Sequence, residues 1–95
     1  MKFIYTDHFI FQVQKRRITK TLAKRIYLKS TERYFDTYIN HKVAILGVRF
    51  HGKARKVMVA YDIIKDEVHL VTAYPIRDQE IANRIERERW IYEKN

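Results

Sequence analysis

Apolar positions recur at helical spacing early in the chain and then switch to a period of two. Phe3 to Thr6 is short and reads as extended. A helix is expected from Asp7, whose carboxylate can accept from free backbone N–H groups, to about Arg16, with Phe9, Ile10 and Val13 on one side. Thr19 is a suitable cap for a second helix, Lys20 to Lys29, in which Leu22, Ala23, Ile26 and Tyr27 form a stripe. Four strands follow: Glu32 to Ile39, Lys42 to Phe50, Arg55 to Ile64 and Glu67 to Ile76. The second is apolar on both faces and should be central, and Pro75 suits a strand end. A last helix is expected from Asp78 to about Tyr92, with Glu80, Arg84 and Glu88 as a ladder of alternating sign. Trp90 lies almost opposite the Ile81–Ile85 stripe, so the end of that helix is expected to project toward a partner, a second copy included.

This order predicts a single α+β domain over residues 1–95: two N-terminal helices, a four-stranded antiparallel meander and a C-terminal helix. The helices are expected on one sheet face, leaving the other uncovered as a concave, polar and basic surface.

Composition narrows the function. No apolar run approaches the ~18–20 residues of a membrane span. The start turns polar too soon for a secretory signal, and there are no cysteines, so a cytoplasmic location is expected. Net charge is +9, and it is uneven: residues 1–60 hold 14 basic and 3 acidic side chains, whereas residues 61–95 hold 6 basic and 8 acidic. Concentrated positive charge interleaved with 14% aromatics points to a polyanion such as RNA, or to an acidic protein.

The histidines His8, His41, His51 and His69 show no metal-ligand spacing, so neither a metal nor another cofactor is expected. His41, His51 and His69 read as solvated or structural. His8, in the first turn of the first helix, is the candidate general base for removing a proton from an RNA 2′-hydroxyl. Arg16, Arg49, Arg55 and Lys56 can supply cations to the phosphate as its charge develops. On the last strand, Leu70, Thr72 and Tyr74 are expected on one face and His69, Val71 and Ala73 on the other. There Thr72 could hold a phosphate oxygen and Tyr74 could stack on a base.

The run His8-Phe9-Ile10-Phe11-Gln12-Val13-Gln14-Lys15-Arg16-Arg17-Ile18 resembles the opening of a family of small prokaryotic proteins with the pattern H-A-x-x-R-x-x-x-R-G-I. Val57 to Asp62 and Val68 to Pro75 resemble that family's paired closing strands, which end in a V-V-T-V-Y type motif. The family is grouped with the RelE/ParE-like toxin superfamily, near the BrnT toxins, whose fold is two helices followed by a four-stranded antiparallel sheet. The resemblance spans about residues 5–76, with the helix over 78–93 as an addition. It implies His8, Arg16, Thr72 and Tyr74 as catalytic residues, with Arg17, Arg49, Arg55 and Lys56 on nucleic acid. Gln12 stands where an arginine is common, and Arg17 where a glycine is common.

The function so implied is a toxin-type, metal-independent endoribonuclease that cleaves RNA by 2′-hydroxyl attack and is neutralised by an acidic antitoxin. The alternative is a non-catalytic module of the same fold that binds nucleic acid or protein, as ParE-type toxins do. Dimerisation through the C-terminal helix is a further possibility for either.

Overall fold

A computed structural model describes residues 1–93. The elements are β1 (Lys2–Tyr5), α1 (Asp7–Arg16), α2 (Lys20–Lys29), β2 (Glu32–Asp36), β3 (His41–Phe50), β4 (Lys53–Ile64), β5 (Glu67–Ile76), α3 (Asp78–Glu86) and β6 (Trp90–Tyr92). They form an α+β fold around one six-stranded mixed sheet of order β1-β5-β4-β3-β2-β6. This corrects the expected four-stranded antiparallel sheet. The β3–β5 meander and β2 are present, but β1 adds to the edge in parallel with β5, and β6 adds antiparallel to β2. No helix of the described residues is long and apolar enough to cross a membrane.

The helices also divide between the faces. On one face α1 and α2 bury Phe9, Val13, Ala23 and Ile26 against Val57, Val59, Val68 and Leu70. On the other, Ile81 of α3 and Trp90 of β6 close over Tyr34, Val43, Ile45, Met58 and Ala60. The second face is therefore partly roofed, where an uncovered face was expected. Trp90 is 1% exposed, so it does not project toward a partner.

Local chemistry explains the boundaries. Thr6 caps α1 by accepting from the Phe9 N–H at 3.0 Å, and Thr19 caps α2 by accepting from the Leu22 N–H at 3.0 Å. The α1 helix ends in a left-handed residue, Arg17 (φ 57°). The Ile18 N–H bonds back to the Val13 carbonyl and the Arg17 N–H to that of Gln14, which is a Schellman motif. The same motif stops α3 well before Tyr92: Glu88 has φ 59°, while Arg89 and Glu88 donate to the Arg84 and Ile85 carbonyls. Satisfying those carbonyls frees Trp90 to turn inward, and its burial outweighs extra helical turns with no apolar face to hide.

Strand β2 stops at Asp36, short of the expected Ile39, because that carboxylate accepts from the Tyr38 and Ile39 N–H groups and folds the chain into a turn. Asp36 is fully buried and also accepts from Trp90 Nε1 at 2.8 Å and Arg89 Nε at 3.1 Å. One carboxylate thus ties the β2 turn to β6.

A β-bulge decides what β5 presents. Ala60 pairs with Thr72 and Tyr61 with Leu70, so Val71 is an extra residue. Leu70 faces α1 and α2, whereas Thr72 and Tyr74 face the α3 side. The bulge also places His69, opposite Asp62, on the α3 side, so the expected grouping of Leu70 with Thr72 and of His69 with Ala73 does not hold.

Candidate nucleic-acid interface

On the α3 face, side chains fall into cross-strand rows. Tyr34, Val43, Ala60 and Thr72 form one, and Met58 with Tyr74 continues the next. Beyond them Gly47, Lys56 and Ile76 make a row that α3 leaves open, since the helix starts at Asp78 and runs back over the apolar residues. Strand β2 reaches only as far as Ile45, so this end of β3 has no neighbour on its outer side.

A cavity of about 640 Å³ opens at this end. Its charged lining is Arg25 from α2, Arg49 from β3, Arg55 and Lys56 from β4, and Arg77 and Asp78 at the start of α3. Five cations thus share the groove with one carboxylate. Lys56 Nζ lies 2.9 Å from Asp78 and 3.5 Å from Glu32. The Asp78 hydrogen bond chiefly holds the Lys56 ammonium above the ordinary lysine value, against the opposing effect of burial. Arg77 meets Glu80 at 3.2 Å, whereas Arg25, Arg49 and Arg55 form no ion pair among the described residues. Gly47 forms part of the lining, and a Cβ at that position would meet nothing within 4 Å.

A second cationic cluster lies along β5. Arg16, at the end of α1, donates to Thr72 Oγ1 at 3.1 Å and to the Ala73 carbonyl at 3.0 Å. Its guanidinium carbon is 5.3 Å from the centre of the Tyr74 ring. Arg84 of α3 donates to the Tyr74 hydroxyl at 3.1 Å, with its guanidinium 5.9 Å from the same ring centre and 5.0 Å from that of Trp90. The expected Glu80–Arg84–Glu88 ladder is absent. Glu80 instead accepts from the Arg77 backbone N–H and side chain, which hold its carboxyl below the ordinary value, and Glu88 lies past the helix.

Of the residues singled out from sequence, Arg49, Arg55 and Lys56 share the groove, and Arg16, Thr72 and Tyr74 share the β5 cluster. Arg17 is exposed at the left-handed end of α1, outside both. His8 is exposed in the first turn of α1, eight residues before Arg16, or ~12 Å along the helix axis. Among the described residues His8 forms no hydrogen bond or ion pair with Arg16, Thr72 or Tyr74. Tyr74 has the guanidiniums of Arg16 and Arg84 within 6 Å of its ring centre. Arg25, Arg77 and Arg84 were not identified from sequence, because only the tertiary fold brings them beside the others.

The histidines that do have partners are His41, with Nδ1 2.8 Å from Asp62, and His69, with Nε2 3.2 Å from Glu67. Among the described residues no three histidine, cysteine or acidic side chains gather to hold a metal ion. No protein-family model, no curated protein and no solved structure matches this chain, so nothing in these comparisons identifies a toxin superfamily.

Proposed function

We propose that this protein binds single-stranded nucleic acid, with the phosphate backbone lying in the groove between Arg25, Arg49, Arg55 and Arg77. The observation that carries this reading is that Arg25, Arg49 and Arg55 share that groove with no ion pair among the described residues, while Lys56 and Arg77 are balanced by Asp78, Glu32 and Glu80. Cations gathered in a concavity exert a field larger than the same charges spread over a convex surface. We take the ligand as a single strand because its flexible backbone can bend its phosphates into a hollow of about 640 Å³, whereas a duplex carries its phosphates on a stiff convex surface. An acidic protein, such as the antitoxin implied by the resemblance, would compete for the same surface.

Fluorescence anisotropy with a labelled RNA 12-mer tests the reading. Binding should weaken with salt, with a slope of about −0.7 per phosphate contact. Arg49→Glu with Arg55→Glu should lower affinity by at least about tenfold at low salt and flatten that slope. Affinity that ignores both salt and this pair of substitutions refutes the proposal. A duplex of the same sequence should bind less tightly.

RNA cleavage is the second reading, favoured by the meeting of Arg16, Thr72 and Tyr74 on one strand. No hydrogen bond joins a general base to that cluster among the described residues, His8 included. Incubating 5′-labelled RNA with the protein in EDTA separates the two. Products ending in a 2′,3′-cyclic phosphate, lost in His8→Ala, would establish the nuclease; intact RNA in a saturated complex leaves binding alone.

A further inference from the structure

We infer that the Arg16–Arg84 clamp around Tyr74 is a second phosphate subsite, occupied by the same single strand that fills the groove. The inference rests on the nucleic-acid reading and extends it to a surface that composition alone does not mark.

The clamp has the donor set of an anion site. Both guanidiniums lie within 6 Å of one ring centre, and neither has a carboxylate within ion-pair distance among the described residues. Glu80, four residues before Arg84, hydrogen-bonds Arg77 and acts on Arg84 only as a charge beyond ion-pair distance. Both arginines are half-buried, so their mutual repulsion is screened less than that of two surface charges. The aromatic face offsets part of this cost, and a phosphate between them would offset more.

The neutral groups have spare hydrogens. Thr72 Oγ1 accepts from Arg16 and Tyr74 Oη accepts from Arg84, and neither hydroxyl donates to another group among the described residues. Each hydroxyl hydrogen is available to an oxygen anion. Arg16 is also fixed by the Ala73 carbonyl, so little side-chain entropy remains to be lost on binding.

The clamp and the groove lie at two points along β5. Thr72, Tyr74 and Ile76 face the same side of β5, and Ile76 borders the groove with Arg77 beside it. Thr72 and Ile76 are four residue steps apart along the strand, a span of ~13 Å. That distance is longer than one phosphate-to-phosphate step and suits a short extended stretch of one strand. The ligand is therefore a strand running beside β5, with phosphates at both ends of this stretch.

The experiment measures an unstructured thymidine octanucleotide by anisotropy over a salt series, for the wild type, Arg16→Gln with Arg84→Gln, and Arg49→Glu with Arg55→Glu. The clamp variant should bind about tenfold more weakly, with the salt slope shallower by about 1.4, the value for two lost single-strand phosphate contacts. Arg84→Lys should keep most of the slope, since charge is retained. Tyr74→Phe keeps the ring and both guanidiniums but loses one donor, and should weaken binding about threefold. Unchanged affinity and slope in the clamp variant, with weakening in the groove variant, overturns this inference and leaves the groove reading standing. No weakening in the groove variant overturns the groove reading, and with it the idea of one strand spanning both sites.

Discussion

Asp36 accepts a 2.8 Å hydrogen bond from Trp90 Nε1 across 54 residues of chain, and both side chains are buried. Burial alone would raise the Asp36 carboxyl. The side chains of Arg89 and Trp90 and the backbone N–H groups of Ile39 and Tyr38 together outweigh it and hold the group below its ordinary value of 3.8. A buried charge with this many donors is stable only while every donor is in place.

Removing it should be costly. Asp36→Ala leaves the partly buried Arg89 without its anion and Trp90 Nε1 without an acceptor. An expected loss of about 3 kcal/mol follows from breaking one side of a buried pair. Urea unfolding monitored by the single tryptophan measures it, and a loss below 1 kcal/mol would show that β6 is not held this way.

The same carboxylate sets the acid limit. Its folded value is depressed, so its contribution is complete above the unfolded value of 3.8 and is lost as pH falls below that through the folded value. At the alkaline end the sign reverses. Burial first, then the contact with Glu32, pushes Tyr34 from 10.0 up to about 12, so the unfolded chain loses its proton first. Stability should hold below pH 10 and decline as pH rises toward 12, and Tyr34→Phe should remove that part of the alkaline decline.

Two arginine and glutamate positions occupy backbone that favours glycine. Arg17 (φ 57°) and Glu88 (φ 59°) each end a helix in the left-handed region. Replacing either with glycine should raise stability by about 0.5–1 kcal/mol, because relief of the side-chain clash exceeds the added freedom of the unfolded chain. Thermal melts of Arg17→Gly and Glu88→Gly give the answer, and a fall in Tm for both would contradict it.

Asp78 is the one acid in the groove and partners Lys56 at 2.9 Å. Asp78→Asn should raise affinity for RNA about two- to threefold by removing the closer of the two carboxylates that hold the Lys56 ammonium, leaving only the 3.5 Å contact with Glu32. It should cost about 0.5 kcal/mol of stability by removing an anion from a helix N-terminus. Weaker binding would mean that Asp78 positions Lys56 rather than restraining it. Gly47→Glu offers the converse: a Cβ at this position meets nothing within 4 Å, so binding should fall while the fold persists.

Much of the fold was legible where local chemistry matches the outcome. Thr19 caps its helix at the expected place, whereas the α1 cap is Thr6 rather than the expected Asp7, which is the first helical residue; the strands from Lys42 to Ile76 show their period. The ends were misread for a physical reason. Glu80, Arg84 and Glu88 have helical spacing, yet the segment after Glu86 is decided by burial of Trp90 and by Asp36, far away in sequence. Phe3 to Tyr5 reads as extended, but nothing local says that its neighbour is β5. At the candidate site, the bulge at Val71 changes which β5 residues share a face, and a strict period of two does not show it. Arg49, Arg55 and Lys56 could be named because they flank one hairpin, whereas the Arg16–Tyr74–Arg84 arrangement depends on three separate elements.

The two outermost strands come from opposite ends of the described chain, and each closes on a partner laid down many residues away: Lys2 beside Glu67, and Trp90 beside Asp36. Such distant closures cost the most chain entropy and return few backbone bonds each. The molecule should therefore assemble from its middle, with the β3–β5 meander formed before either margin docks. Amide protons of β1 and β6 should accordingly exchange with solvent well before those of β4, through partial openings that leave the centre intact.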